Sequence, residues 1–152
     1  MGLKQGHYKV GNREKYKGDA DNVMYRSSWE FSTFKWLDFN ENVVNWSSEE
    51  ISIAYVSSID GRFHRYFPDI KVKFKDGQTY LVEIKPNAER MEPKPTGRMS
   101  KRYITEALTF IKNSDKWKAA KVYAEKRGWQ WMIWDEFALR RLGIPVVSNF
   151  KK

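Results

Sequence analysis

The sequence predicts a single α/β domain in which a mixed β-sheet is flanked by helices. Three observations carry that prediction. Residues 66–86 alternate apolar and polar side chains with period two on both sides of an Asp-Gly turn. Helical patterns bracket this pair, at 27–40 upstream and from about 100 to 126 downstream. A further apolar run, WQWMIW at 129–134, then leads into a short capped helix. At 152 residues, 41% hydrophobic and 16% aromatic, the chain is long enough to bury a sizeable core.

Composition removes several function classes. With no cysteine there are neither disulfides nor thiolate metal sites, and two histidines exclude a histidine-rich one. No run approaches the about 18 apolar residues of a membrane span, and the N-terminus lacks the apolar region of a signal peptide. The expected compartment is the cytoplasm. The net charge is +9. Its location matters: 12 Lys and Arg face 5 Asp and Glu between Lys85 and Arg127. A polyanion is the natural partner.

In chain order, residues 1–22 read as a basic N-terminal arm, extended and ordered by a partner or else frayed, ahead of a domain at 23–152. Tyr8, Tyr16, Lys9, Lys15 and Lys17 would suit a nucleic-acid backbone there. In the helix at 27–40, Ser27 three residues before Glu30 matches a capping box. Glu30 also shares the i, i+4, i+7 stripe of Phe34 and Leu37, which aims it at the sheet. Residues 42–46 and 51–56 read as the first two strands, with a turn at 47–50. Residues 57–61 turn into the strand bearing Asp69. His64 reads as a strand surface residue, and Arg65 as a possible phosphate contact.

The central hairpin fixes its own register. Ile70, Val72 and Phe74 on one strand and Tyr80, Val82 and Ile84 on the next are all even-numbered. Cross-strand partners share a face, so paired numbers must sum to an even value. A three-residue loop, Lys75-Asp76-Gly77 with Gly77 left-handed, satisfies this; a two-residue Asp-Gly loop does not. Asp69 then opposes Glu83 on the less apolar face, with Lys85 two residues along. One reading is a solvated face with a cross-strand salt bridge. Directly opposed acids are nevertheless costly unless a cation lies between them, and hard cations favour such carboxylates.

Downstream, residues 87–99 form a proline-punctuated loop. A helix from about Ser100 carries Tyr103, Ala107, Phe110 and Ile111 as its stripe, with Lys101 and Arg102 in the first turn. A break is expected near Asn113-Ser114, then a second helix at 116–126 whose basic residues form a solvated face or a DNA-backbone track. WQWMIW reads as a buried strand. Asp135 caps a helix to Leu142, stopped by Gly143 and Pro145. The tail at 146–152 carries no signal.

Pro68-Asp69 followed by Glu83-x-Lys85 on the next strand resembles the PD-(D/E)xK signature of restriction-endonuclease-like nucleases, and Glu30 resembles the additional helix acid of many of them. Across nearly the whole chain the sequence is similar to the head completion nucleases of T-even-type tailed bacteriophages, which in turn resemble the endonuclease subunit of Tn7-type transposition. The resemblance implies a restriction-endonuclease-like fold and a DNA endonuclease of little sequence specificity acting in phage head completion. It implies catalytic Glu30, Asp69, Glu83 and Lys85, and Mg²⁺, with Mn²⁺ as a substitute, on Asp69, Glu83, the Ile84 carbonyl and Glu30. Arg65, Lys101 and Arg102 are the candidate DNA contacts. DNA and phage portal, neck or head proteins would be the partners, in the host cytoplasm or on the virion, with no membrane role. Three other readings stay open: a non-catalytic DNA-binding component of the head or neck, a transposon end-cutting subunit, and a basic RNA-binding domain.

Overall fold

The computed structural model describes residues 5–146. The central sheet has four strands, β3 (Val43–Ser47), β6 (Ile70–Phe74), β7 (Thr79–Ile84) and β8 (Gln130–Trp134), in the order β3-β6-β7-β8. β3, β6 and β7 are antiparallel neighbours and β8 joins β7 in parallel, so the sheet is mixed as expected. Two small ribbons stand apart, β1 (Gly6–His7) with β2 (Met24–Tyr25), and β4 (Ile53–Val56) with β5 (Phe63–Tyr66). Among the described residues three α-helices complete the fold: α1 (Ser28–Phe39), α2 (Lys101–Lys126) and α3 (Glu136–Leu142). Among the described residues no helix is long and apolar enough to cross a membrane.

The central hairpin has the expected register. Ile70 pairs with Val82, Lys71 with Leu81 and Val72 with Tyr80. The Gly77 N–H donates to the Phe74 carbonyl with Gly77 at φ +90°, closing the three-residue loop. The two faces therefore bury different sets. Ile70, Val72, Val82 and Ile84 pack with α1 residues Trp29, Phe34 and Leu37 and with Leu139 of α3. Leu81 packs on the other face with Ala120 and Ala124 of α2 and with Ile53, Tyr55 and Tyr66 of the β4–β5 ribbon.

Five expectations are corrected. The strand at 51–56 does not join the sheet beside β3; it pairs with β5 instead. The chain changes direction between them, with Glu49 at φ +55°. Asp69 does not continue a strand from 63; it lies in a bend between β5 and β6. Pro68 supplies no N–H there and holds Phe67 extended, which interrupts the ladder. α2 is continuous through Asn113 and Ser114. The Asp115 carboxylate accepts from the N–H and the hydroxyl of Ser58, both at 2.8 Å, which ties mid-helix to the β4–β5 turn and outweighs the weak local propensity. β8 is an edge strand with Gln130 and Met132 exposed, and only Trp134 is buried.

The fifth correction concerns the arm. Tyr8, Val10 and Tyr16 are buried in the main core. The Tyr8 hydroxyl donates to Asp38 at 2.7 Å, and the N–H groups of Gly11 and Asn12 reach the same carboxylate at 2.6 and 2.9 Å. Lys15 Nζ caps the end of α1 through the carbonyls of Asp38 and Asn40. Residues 5–22 thus strap α1 to β3. The rest of the arm, 1–4, and the tail from 147 lie outside the described residues.

Candidate active site

Three elements end at one place. The register that buries the even-numbered side chains of β6 and β7 turns Glu83 to the α2 face, and Asp69 precedes β6 beside the same end of β7. The Ile84 N–H donates to Asp69 Oδ2 at 2.8 Å, which orients the carboxylate across the strand gap. The Tyr66 hydroxyl donates to Glu83 Oε1. Lys85 Nζ lies 3.6 Å from the other oxygen, Oε2. The Lys85 N–H continues the parallel ladder by donating to the Trp134 carbonyl at 3.2 Å, so β8 holds the lysine's backbone in place.

Glu30 approaches from α1, the helix covering the opposite face. Ser27 is the N-cap, its hydroxyl accepting from the Glu30 N–H at 3.2 Å, and Glu30 Oε1 accepts from the Arg26 N–H at 2.9 Å. This reciprocal arrangement is the capping box the sequence suggested, shifted one residue outward. Glu30 is also within reach of the acids' charges. Burial pushes its pKa up to about 7, and Glu49 and Glu83 add to the shift against the pull of Arg26. Burial raises Asp69 well above the usual carboxylate range, and Glu83 and Glu30 push it further. Glu83 is raised by burial too, although Tyr66, Lys85 and Lys116 all favour its charged form.

Glu83 raises both Asp69 and Glu30, and Glu30 raises Asp69 in turn; the three carboxylates are hard oxygen donors of the kind that suits Mg²⁺ or Mn²⁺. Asp69 and Glu83 form the core of that set. Among the described residues no three acidic or histidine side chains are gathered closely enough to hold a metal ion.

The other candidates are placed elsewhere. Arg65 points to the outer side of the β4–β5 ribbon, where it donates to the Ser52 hydroxyl at 2.9 Å. Lys101 and Arg102 sit exposed at the far end of α2, about 22 Å along the helix from Lys116. His64 pairs with Asp60 at 2.9 Å and stacks on Tyr55.

Sequence reasoning missed two residues. Tyr66 shares even parity with Ile70, so one continuous strand would have put it on the wrong face; the break at 67–69 turns it to Glu83. Lys116 was not singled out from the other basic residues of the helix expected at 116–126. In a continuous α2 it falls at i−4 and i−8 from the buried Ala120 and Ala124, and that periodicity was the available signal.

The mixed sheet, the two covering layers and the acids at the ends of its central strands define an endonuclease-like α/β domain. The chain belongs to the TnsA-like endonuclease family: residues 40–136 match the model described as "TnsA-like endonuclease N terminal". It is also 43% identical over 142 residues, 91% of this chain and 95% of the relative, to the head completion nuclease of Enterobacteria phage T4. The family match spans Asp69, Glu83 and Lys85, whereas Glu30 precedes it.

Proposed function

We propose that this chain is a divalent-cation-dependent DNA endonuclease that cuts with little sequence specificity and acts in phage head completion, in the host cytoplasm and in association with the virion. The observation that carries the chemistry is the meeting of Asp69, in the bend before β6, with the end of β7, where the Ile84 N–H donates to Asp69 Oδ2 at 2.8 Å and Lys85 Nζ lies 3.6 Å from Glu83. Kinship with a head completion nuclease supports the biological setting, and with it portal, neck or head proteins as partners.

Asp69 and Glu83, with the Ile84 carbonyl that the family likeness suggests, would hold Mg²⁺, and Glu30 would support it through water or a second ion. Bound there, the cation supplies Lewis acidity and activates water for attack on the phosphodiester. Ile84 N–H and Tyr66 fix the two carboxylates before substrate arrives, which limits reorganisation during the reaction. Lys85 holds the attacking water and offsets charge developing on the phosphate oxygens. The excess of basic residues from Lys85 to Arg127 attracts the DNA backbone, and no element presents a base-reading motif.

Nicking of supercoiled DNA with Mg²⁺, Mn²⁺ or EDTA tests the proposal. Asp69→Ala and Glu83→Ala should each abolish cation-dependent nicking while DNA binding persists. Undiminished cutting by either variant overturns the site, and wild-type DNA binding without cutting points to a non-catalytic head or neck component. Lys85→Ala should slow single-turnover cleavage more than it weakens cation binding.

A further inference from the structure

Lys116 has no part in the mechanism above, yet its position is specific. α2 turns Ala120 and Ala124 into the core, both fully buried, and Lys116 continues that stripe one turn earlier. A lysine at the edge of such a stripe lays its aliphatic stem along apolar surface and brings its ammonium out at the rim. Here the ammonium stands 5.7 Å from the centroid of the Tyr66 ring, whose hydroxyl donates to Glu83. Burial and the charge of Lys112 push the Lys116 pKa down, while Glu83 and Asp69 pull it up and Lys85 opposes them. The groups acting on it are therefore those of the acid cluster. Lys112 lies one turn further along the same stripe, exposed. Among the described residues neither lysine forms an ion pair, unlike Lys85, Arg90 and Arg102.

We propose that Lys116 and Lys112 bind DNA phosphates beside the scissile bond, and that Tyr66 is a positioning residue holding both the Lys116 ammonium and the Glu83 carboxylate. The proposal rests on the nuclease reading for its substrate, but phosphate binding can be read without cleavage. Two cations on one helix face can follow a strand's backbone with no regard to base identity, and the Tyr66 ring face gives Lys116 a fixed seat.

The test is binding of a short DNA duplex across a KCl series without divalent cation, for wild type, Lys116→Met, Lys116→Arg, Lys112→Met and Tyr66→Phe, each checked by thermal melting. Lys116→Met keeps the packing and removes the charge. It should flatten the plot of log K against log salt by about 0.9, the loss of one phosphate contact. Lys116→Arg should restore the slope. Tyr66→Phe should keep the slope and, in Mg²⁺, slow single-turnover cutting. A wild-type slope in a folded Lys116→Met variant overturns the proposal. If the Lys116 variants do not fold, Lys112→Met, on an exposed turn, decides it by the same criterion. Wild-type protein that binds with the expected slopes but never cuts counts against the nuclease reading alone.

Discussion

A single carboxylate at position 30 closes the first turn of α1 and faces the acids of the sheet. The two roles separate by substitution, because glutamine can still accept from the Arg26 N–H but carries no charge. Glu30→Gln should melt within about 0.5 kcal/mol of wild type while cutting DNA more slowly. Glu30→Ala should lose the cap as well, about 1 kcal/mol. Denaturant midpoints and single-turnover rates on the same preparations check both. pH gives a separate handle on the cluster. Glu30, Asp69 and Glu83 are all raised, so the folded chain holds their protons more tightly than the unfolded chain does. That stability is complete below the ordinary carboxylate range, about pH 4, and is lost as pH rises through the folded values, about 7 for Glu30. In EDTA, Tm should therefore fall between about pH 5 and 8, and Mg²⁺ should raise it at the upper end more than at the lower. A Tm that is flat across that window contradicts the coupling.

At the level of elements, α1 depends on groups far from it in sequence. Asp38 is fully buried and accepts from the Tyr8 hydroxyl and from the Gly11 and Asn12 N–H groups. Asp38→Ala leaves three donors without their acceptor and should cost on the order of 3 kcal/mol, read as a shift in urea midpoint with unchanged m. Gly11 belongs to the same seam, since a Cβ there would come within 2.7 Å of the Phe39 ring. The strap escaped sequence reasoning because the run Gly11-Asn12-Arg13-Glu14-Lys15 separates its aromatics, Tyr8 and Tyr16, and leaves no sustained apolar alternation between them. Each docks singly, and single docking leaves no pattern. The hairpin was legible for the opposite reason. Its parity, its turn glycine and its opposed acids all lie within 21 residues, residues 66–86, and each constrains the others.

For the whole molecule, the strap makes residues 5–22 part of the fold. Burying Tyr8, Val10 and Tyr16 is worth about 1.5–3 kcal/mol each, which together approaches the total stability of a domain, about 5–15 kcal/mol. A chain beginning at residue 23 should accordingly lose its near-ultraviolet circular dichroism and its cooperative melt. A cooperatively folded truncation would show the strap to be dispensable. Long α2 works on the same scale: Asp115 pins it to the β4–β5 turn, Ala120 and Ala124 seat it on the sheet, and Lys116 is thereby delivered to the acids.

The sequence by itself determined the class of fold, the register of β6 with β7, and the grouping of Asp69, Glu83 and Lys85. Period-two alternation and turn chemistry are local, and a local rule can be applied without knowing what packs above the sheet. Only the tertiary structure decided where the chain leaves one sheet for another at Pro68, that α2 runs unbroken, and that Tyr66 meets Glu83 with Lys116 over its ring. Those outcomes depend on which surfaces meet across the core, and the periodicity of one segment says which face it buries but not which distant residue that face will meet.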